Sequence, residues 1–216
     1  MSPDASGLSG TAGVPPLRGD LALVAEMIEP GARVLDVGCG EGELLAYLTG
    51  VKAVDGRGIE LSQSGVNACV RHGLSAIQGD ADRDLADYPT GAFDYAVLSQ
   101  TLQATRNPRQ VMEHLVRIGR HAIVSFPNFG YWRIRMHLLL SGRMPRSHLL
   151  DHSWHDTPNI HLCTLKDFTA LTDELGIAIE RSVTLDRAGQ PFSLDPRGHF
   201  ANLLAEQGLF MLSRRG

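Results

Sequence analysis

The segment RVLDVGCGEGELL at residues 33–45 joins a largely apolar strand to a helix-forming run through three alternating glycines. A buried strand that passes through bare loop into a helix is a nucleotide-binding turn. Gly38, Gly40 and Gly42 tolerate positive φ and carry no Cβ, so the chain can bend tightly and a ligand can lie against the backbone. Their spacing restricts the ligand. A dinucleotide fingerprint places its third glycine one residue later and aims amides at a pyrophosphate. Glu43 stands at that position, and Asp36 and Glu41 make the turn more acidic still. Such a turn suits a cationic ligand without phosphate.

Further along the chain, GIELS at 58–62 ends a second apolar stretch and puts Glu60 about 20 positions past the glycines, where a second strand tip reaches ribose hydroxyls. IQGDAD at 77–82 and FDYAVLS at 93–99 follow in order. Taken singly, each has an ordinary reading: a glycine turn, a solvated strand end, a Gly-Asp turn.

Together they resemble the class I S-adenosylmethionine-dependent methyltransferases. That resemblance implies a Rossmann-like α/β fold, a doubly wound and mostly parallel sheet whose last strand is antiparallel. It also implies a pocket for S-adenosylmethionine or S-adenosylhomocysteine built from Asp36, Gly38, Cys39, Gly40, Gly42, Glu60, Leu61, Asp80, Ala81 and Ser99. Within it Glu60 holds the ribose, Asp80 accepts from the adenine amine, and the strand at 93–99 floors the methyl-transfer cleft.

With 216 residues, 43% of them apolar, the chain has the length of one α/β domain. Residues 1–18, rich in Ser, Gly, Ala and Pro, read as a disordered tail, and 19–216 as a single domain with an inserted loop and helix region at 127–163. A net charge of −4 argues against a nucleic-acid partner, because phosphate neutralisation needs a concentrated basic surface. No apolar run is long enough for a membrane span. Three cysteines and no evident signal peptide predict reduced thiols and a cytoplasmic location, with Cys39 kept small for packing.

Local patterns place further elements. Asp20 is a candidate cap for a helix with Leu21, Val24 and Ile28 on one face; Ser62 and Asn107-Pro108 open two more, and Thr164-Leu165-Lys166-Asp167 is a capping box with Asp in place of Glu. His148, His152, His155, His161 and Cys163 raise zinc as an option, but no tight ligand spacing accompanies them, and no metal is expected. In the same region Asn128, Tyr131 and Trp132, with His148, His152, His155 and His161, are candidates for a substrate wall.

Methyl transfer itself is less well provided for. Relatives that methylate hydroxyls often carry a Glu-His pair just after the fourth strand, whereas this chain reads Gln103-Ala104, and nothing in SQTLQAT at 99–105 titrates near neutrality. SFPNFGYWR at 125–133, SQTLQ at 99–103 and TPNIHLCT at 157–164 resemble the MetW methionine biosynthesis family. That likeness implies a methyltransferase-like accessory partner of homoserine O-acyltransferase. A small-molecule methyltransferase, with a small-molecule substrate as its partner, is the alternative. Aromatics flanked by arginine at Tyr131-Trp132-Arg133 suit a protein interface or the buried face of a helix.

Overall fold

The computed structural model describes residues 17–146, 149–150, 152–192 and 194–215. Residues 1–16 of the expected tail, and His148, lie outside the described residues. Helices and strands alternate from the start: α1 (Gly19–Met27), β1 (Arg33–Val37), α2 (Glu43–Lys52), β2 (Asp55–Glu60), α3 (Gln63–Arg71), β3 (Ser75–Gln78), the single turn α4 (Ala81–Asp84), β4 (Phe93–Ser99), α5 (Pro108–Ile118) and β5 (Gly119–Pro127). The chain continues through α6 (Trp132–Ser141), α7 (Leu165–Glu174), β6 (Ile177–Leu185), the short β7 (Pro191–Phe192), α8 (His199–Leu204) and β8 (Gln207–Arg214).

Among the described residues the strands form one sheet in the order β3-β2-β1-β4-β5-β8-β6-β7. Strands β1 to β5 are mutually parallel, and β8 runs antiparallel to both β5 and β6. Connections leave β1 in both directions along the sheet, so the carboxyl ends of β1, β2 and β4 open a crevice where the strand order reverses.

The central strands are mostly apolar because both faces of the sheet are covered. Successive residues face opposite ways, so Leu35, Leu98, Val124 and Phe210 enter one core while their neighbours Val34, Val97, Ile123 and Leu209 enter the other. Helices α5 and α7 close the first core, where the rings of Phe126, Phe168 and Phe210 meet at centroid distances of 4.7, 4.6 and 5.8 Å. Helices α1 and α2 close the second.

Several caps form as their residues dictate. Ser62 Oγ accepts from the Gly65 amide, Asn107 accepts from the Gln110 amide ahead of Pro108, and Thr164 and Asp167 cap one another reciprocally. Asp20 does not cap. It lies inside the first turn of α1, where Arg18 Nε pairs with it at 2.8 Å and Gln207 Nε2 donates to it at 3.3 Å. A buried carboxylate holding a cation and a strand residue serves the packing of α1 on β8 better than a cap would.

The insertion between β5 and α7 begins at Asn128, which is fully buried. Its Nδ2 donates to the carbonyls of Asn202 and Ala205 at 2.9 and 2.8 Å, and its Oδ1 accepts from the amides of Gly130 and Leu165 at 2.9 and 3.3 Å. Asn128 is therefore a structural rivet and not part of a substrate wall. Tyr131 is buried as well, at 7% exposed, whereas Trp132 at 41% opens to solvent. His152 lies in a bend outside any helix.

Candidate functional site

The glycine turn emerges from β1 with Gly38, Gly40 and Gly42 at φ of 74°, 55° and 86°. The amides of Gly38 and Cys39 both donate to the Ile59 carbonyl, at 2.8 and 3.2 Å, which ties the turn to β2. The three glycines do different work. A Cβ on Gly38 would lie 2.6 Å from Thr101 Oγ1, and one on Gly42 would lie 2.5 Å from Leu74 and 2.9 Å from Cys69 Sγ. A Cβ on Gly40 would meet nothing within 4 Å. The outer glycines let protein pack against the turn, and the middle one presents bare backbone to open space.

Two cavities flank Gly38. The larger, about 810 Å³, is lined by Asp36, Gly38, Cys39, Gly40, Gly42 and Ser99, with Arg18 and Leu21 at its rim. The smaller, about 350 Å³, is lined by Gly38, Glu60, Leu61, Asp80, Ala81 and Thr101, among others. The residues singled out in the sequence as a ligand set therefore line two neighbouring cavities that meet at Gly38, at the carboxyl ends of the strands. Cys39 contributes bulk, since its sulfur sits 3.9 Å from that of Cys69 and burial pushes its thiol well above the usual range.

Glu60 joins the two halves. Its Oε2 accepts from the Gly40 amide and its Oε1 from the Ser62 amide, both at 2.9 Å, which fixes the carboxylate while leaving lone pairs for hydroxyl donors. Asp80 caps α4 by accepting from the Asp82 amide at 3.0 Å. Asp82 accepts from the amides of Arg106 and Asn107, both at 2.8 Å, and so clamps the loop after β3 to the loop after β4. Asp82, Thr101 and Ile160 were not singled out in the sequence. Thr101 shows itself only through the Gly38 contact, and Ile160 arrives from the insertion.

Asp36 is 3% exposed and has no hydrogen-bond partner among the described residues. Burial, and secondarily the Glu60 carboxylate, push its pKa to about 7. The folded chain then holds this proton more tightly than the unfolded chain, whose carboxyl titrates near 3.8. The resulting stability is fully present below about pH 4 and is lost as pH rises through 7, a swing of roughly 4 kcal/mol at about 1.4 per unit. Asp36→Asn should accordingly be more stable than wild type at pH 8 and flatten the melting temperature between pH 4 and 8. Unchanged curvature in urea titrations across that range would contradict the assignment.

At the far end of the crevice Ser99 Oγ lies 3.0 Å from Ser125 Oγ, and Gln100 adopts a φ of 53°. Gln103 is 6% exposed; its Nε2 donates to the Gln100 carbonyl at 2.7 Å, and its own carbonyl accepts from the amides of Ile160 and His161 at 2.9 and 3.0 Å. The residue at the usual acid-base position is thus a tie between the loop after β4 and the insertion. Among the described residues no three His, Cys, Asp or Glu side chains converge as a metal site, and no helix is long and apolar enough to cross a membrane.

Residues 18–212 match the family model described as methionine biosynthesis protein MetW. The chain belongs to the MetW family. A curated relative, the bifunctional methionine biosynthesis protein MetXA/MetW of Rhodopirellula baltica, is 35% identical over 176 residues, which is 77% of this chain and 28% of that protein. This MetW-family chain therefore spans less than a third of its relative's length. Two solved structures share the fold. One comes from the complex of the Haloferax volcanii Trm112 methyltransferase activator with a methyltransferase, at TM-score 0.66, 15% identity and coverage of 91% and 90% of the two chains. The other is an S-adenosylmethionine-dependent methyltransferase from Thermotoga maritima, at TM-score 0.63, 13% identity and 91% and 88% coverage. The sheet has the class I methyltransferase fold, in a chain of the family described as methionine biosynthesis protein MetW.

Proposed function

We propose that this MetW-family chain binds S-adenosylmethionine or S-adenosylhomocysteine in the crevice across Gly38 and serves as the accessory partner of a homoserine O-acyltransferase. The observation that carries the reading is the contrast between the two ends of the crevice. The donor end is a built cradle: an open backbone face at Gly40, a fixed carboxylate at Glu60 and a buried, unpartnered Asp36 suited to a cationic group. At the acceptor end the side-chain Nε2 and the backbone carbonyl of Gln103 hold backbone, and the loop around it supplies no group to take a proton at neutral pH.

S-adenosylmethionine supplies an activated methyl when bound; this chain's residues bind and orient the molecule. Glu60 receives the ribose hydroxyls, Asp80 and Ala81 flank the adenine, and Asp36 faces the positively charged portion. Calorimetric titration tests this. Both ligands should bind and NAD should not, and Glu60→Ala should weaken binding by about ten- to a hundredfold, the loss expected for a charge-assisted hydrogen bond. Unchanged affinity in a folded variant would remove Glu60 from the site.

The partner reading draws on the relative in which MetXA and MetW are fused. Fusion holds the two proteins at high effective concentration, as a working complex would require. Helix α6 offers a contact face: Trp132, Met136, Leu139 and Leu140 are 41%, 40%, 76% and 78% exposed, and the Arg133 guanidinium lies 5.3 Å over the Trp132 ring. Aromatic and arginine anchors with adjoining apolar area characterise the centres of interfaces.

A further inference from the structure

The insertion also enters the donor crevice. Residues 157–163 form an extended strap without regular secondary structure. Ile160, 55% exposed, lines the smaller cavity together with Glu60, Asp80, Ala81 and Thr101. Two residues on, Leu162, 50% exposed, lines a separate cleft of about 270 Å³ with Phe129, Trp154, Thr157 and Asn159. One short strap is thus a wall of both spaces.

Few bonds hold it. The amides of Ile160 and His161 share the single Gln103 carbonyl, the His161 Nε2 lies 3.4 Å from the Arg106 carbonyl, and the Phe129 amide donates to the Cys163 carbonyl at 2.9 Å. Gln103, at the other end of the first attachment, is buried with its Oε1 unpartnered, and the adjacent Gln100 Nε2 is buried and unpartnered too. Such a junction is not at its best hydrogen-bonded arrangement, and a segment with so few ties opens at low cost.

We infer that the strap at 157–163 is the element through which donor occupancy is passed to the apolar cleft at Trp154 and Leu162. A planar, apolar-faced base resting in the smaller cavity meets Ile160, removes its exposed surface from water and restricts the strap. Restriction of the strap fixes Leu162 and Asn159 on its other side and gives the apolar cleft a single shape. The cleft is then formed when donor is bound and loose when it is not. Differential contact of this kind is what a ligand needs to bias two states.

This inference rests on the donor-binding reading proposed above, and one experiment separates their failures. The chain contains two tryptophans, so Trp132→Phe leaves Trp154 as the sole indole reporter on the cleft. Titrating that variant with S-adenosylmethionine, while calorimetry records occupancy, should give a saturable change in Trp154 emission with the calorimetric dissociation constant. Hydrogen exchange at the Ile160 and His161 amides should slow at least fivefold on saturation. Ile160→Ala should keep binding within about tenfold while losing both the emission change and the slowing. Absence of calorimetric binding would defeat the donor reading and the inference with it. Normal binding with unchanged emission and exchange would overturn the inference alone, as would an Ile160→Ala variant that keeps the full response.

Discussion

Gly40→Val should raise the dissociation constant for S-adenosylmethionine at least a hundredfold, about 2.7 kcal/mol, while the protein stays folded. A Cβ at this position meets no protein atom within 4 Å, so the branched side chain projects into the open space beside the Glu60 carboxylate's partner amide. Its φ of 55° adds strain of about 1–2 kcal/mol, which two non-glycine residues, Ala53 and Gln100, already tolerate at 52° and 53°. Gly42→Val serves as the contrasting variant. Its Cβ would collide with Leu74 and Cys69, so it should lower the melting temperature sharply whether or not ligand is present. Calorimetry and thermal melts on the two variants distinguish a ligand face from a packing face. Tight binding by Gly40→Val would place the ligand elsewhere.

Asn128→Ala should destabilise the domain by about 3–5 kcal/mol, since it strands two carbonyls and two amides in a region without solvent. For a chain of this length that corresponds to a fall of roughly 10 °C in melting temperature. The four bonds join the start of the insertion, the first turn of α7 and α8 with its C-cap residue Ala205, so the damage should spread over the half of the sheet that carries β8. A change below about 2 °C would mean that Asn128 is free to act in a substrate wall after all.

Much of this architecture is legible before folding because its signals are local. The strand-glycine-helix junction at 33–45, the cap at Ser62, the Asn107-Pro108 start and the capping box at Thr164 are each contained in a few consecutive residues, and each forms as its chemistry dictates. The core follows from strands that are mostly apolar. What escapes the sequence depends on partners distant along the chain. Asp20 looks like a cap until Gln207 reaches it across 187 positions. Asn128 looks like a pocket residue until Asn202 and Ala205 close around it. The two-residue β7 and the six-residue α8 are too short to carry a period.

The crevice divides in the same way. Its glycines and acidic strand tips are sequence features, whereas Asp82, Thr101 and Ile160 join it only because the sheet order brings the loops after β3 and β4 and the strap together. Gln103 is the instructive case. In the sequence it stands where related enzymes place an acid-base pair; in the fold it ties the loop after β4 to the insertion. That change of role connects the two halves of the proposal, ligand binding and partner contact.

The most direct measurement mixes the purified protein with a homoserine O-acyltransferase and follows both complex formation and acyl-transfer rate with and without S-adenosylmethionine. A stoichiometric complex and a raised acyltransferase rate are expected. Trp132→Ala should weaken the complex about thirtyfold, roughly 2 kcal/mol, without lowering the melting temperature, because Trp132 is part-exposed on α6. Proteins that neither associate nor alter the rate, together with rapid methylation of one metabolite from labelled donor, would contradict the account and leave a small-molecule methyltransferase in its place.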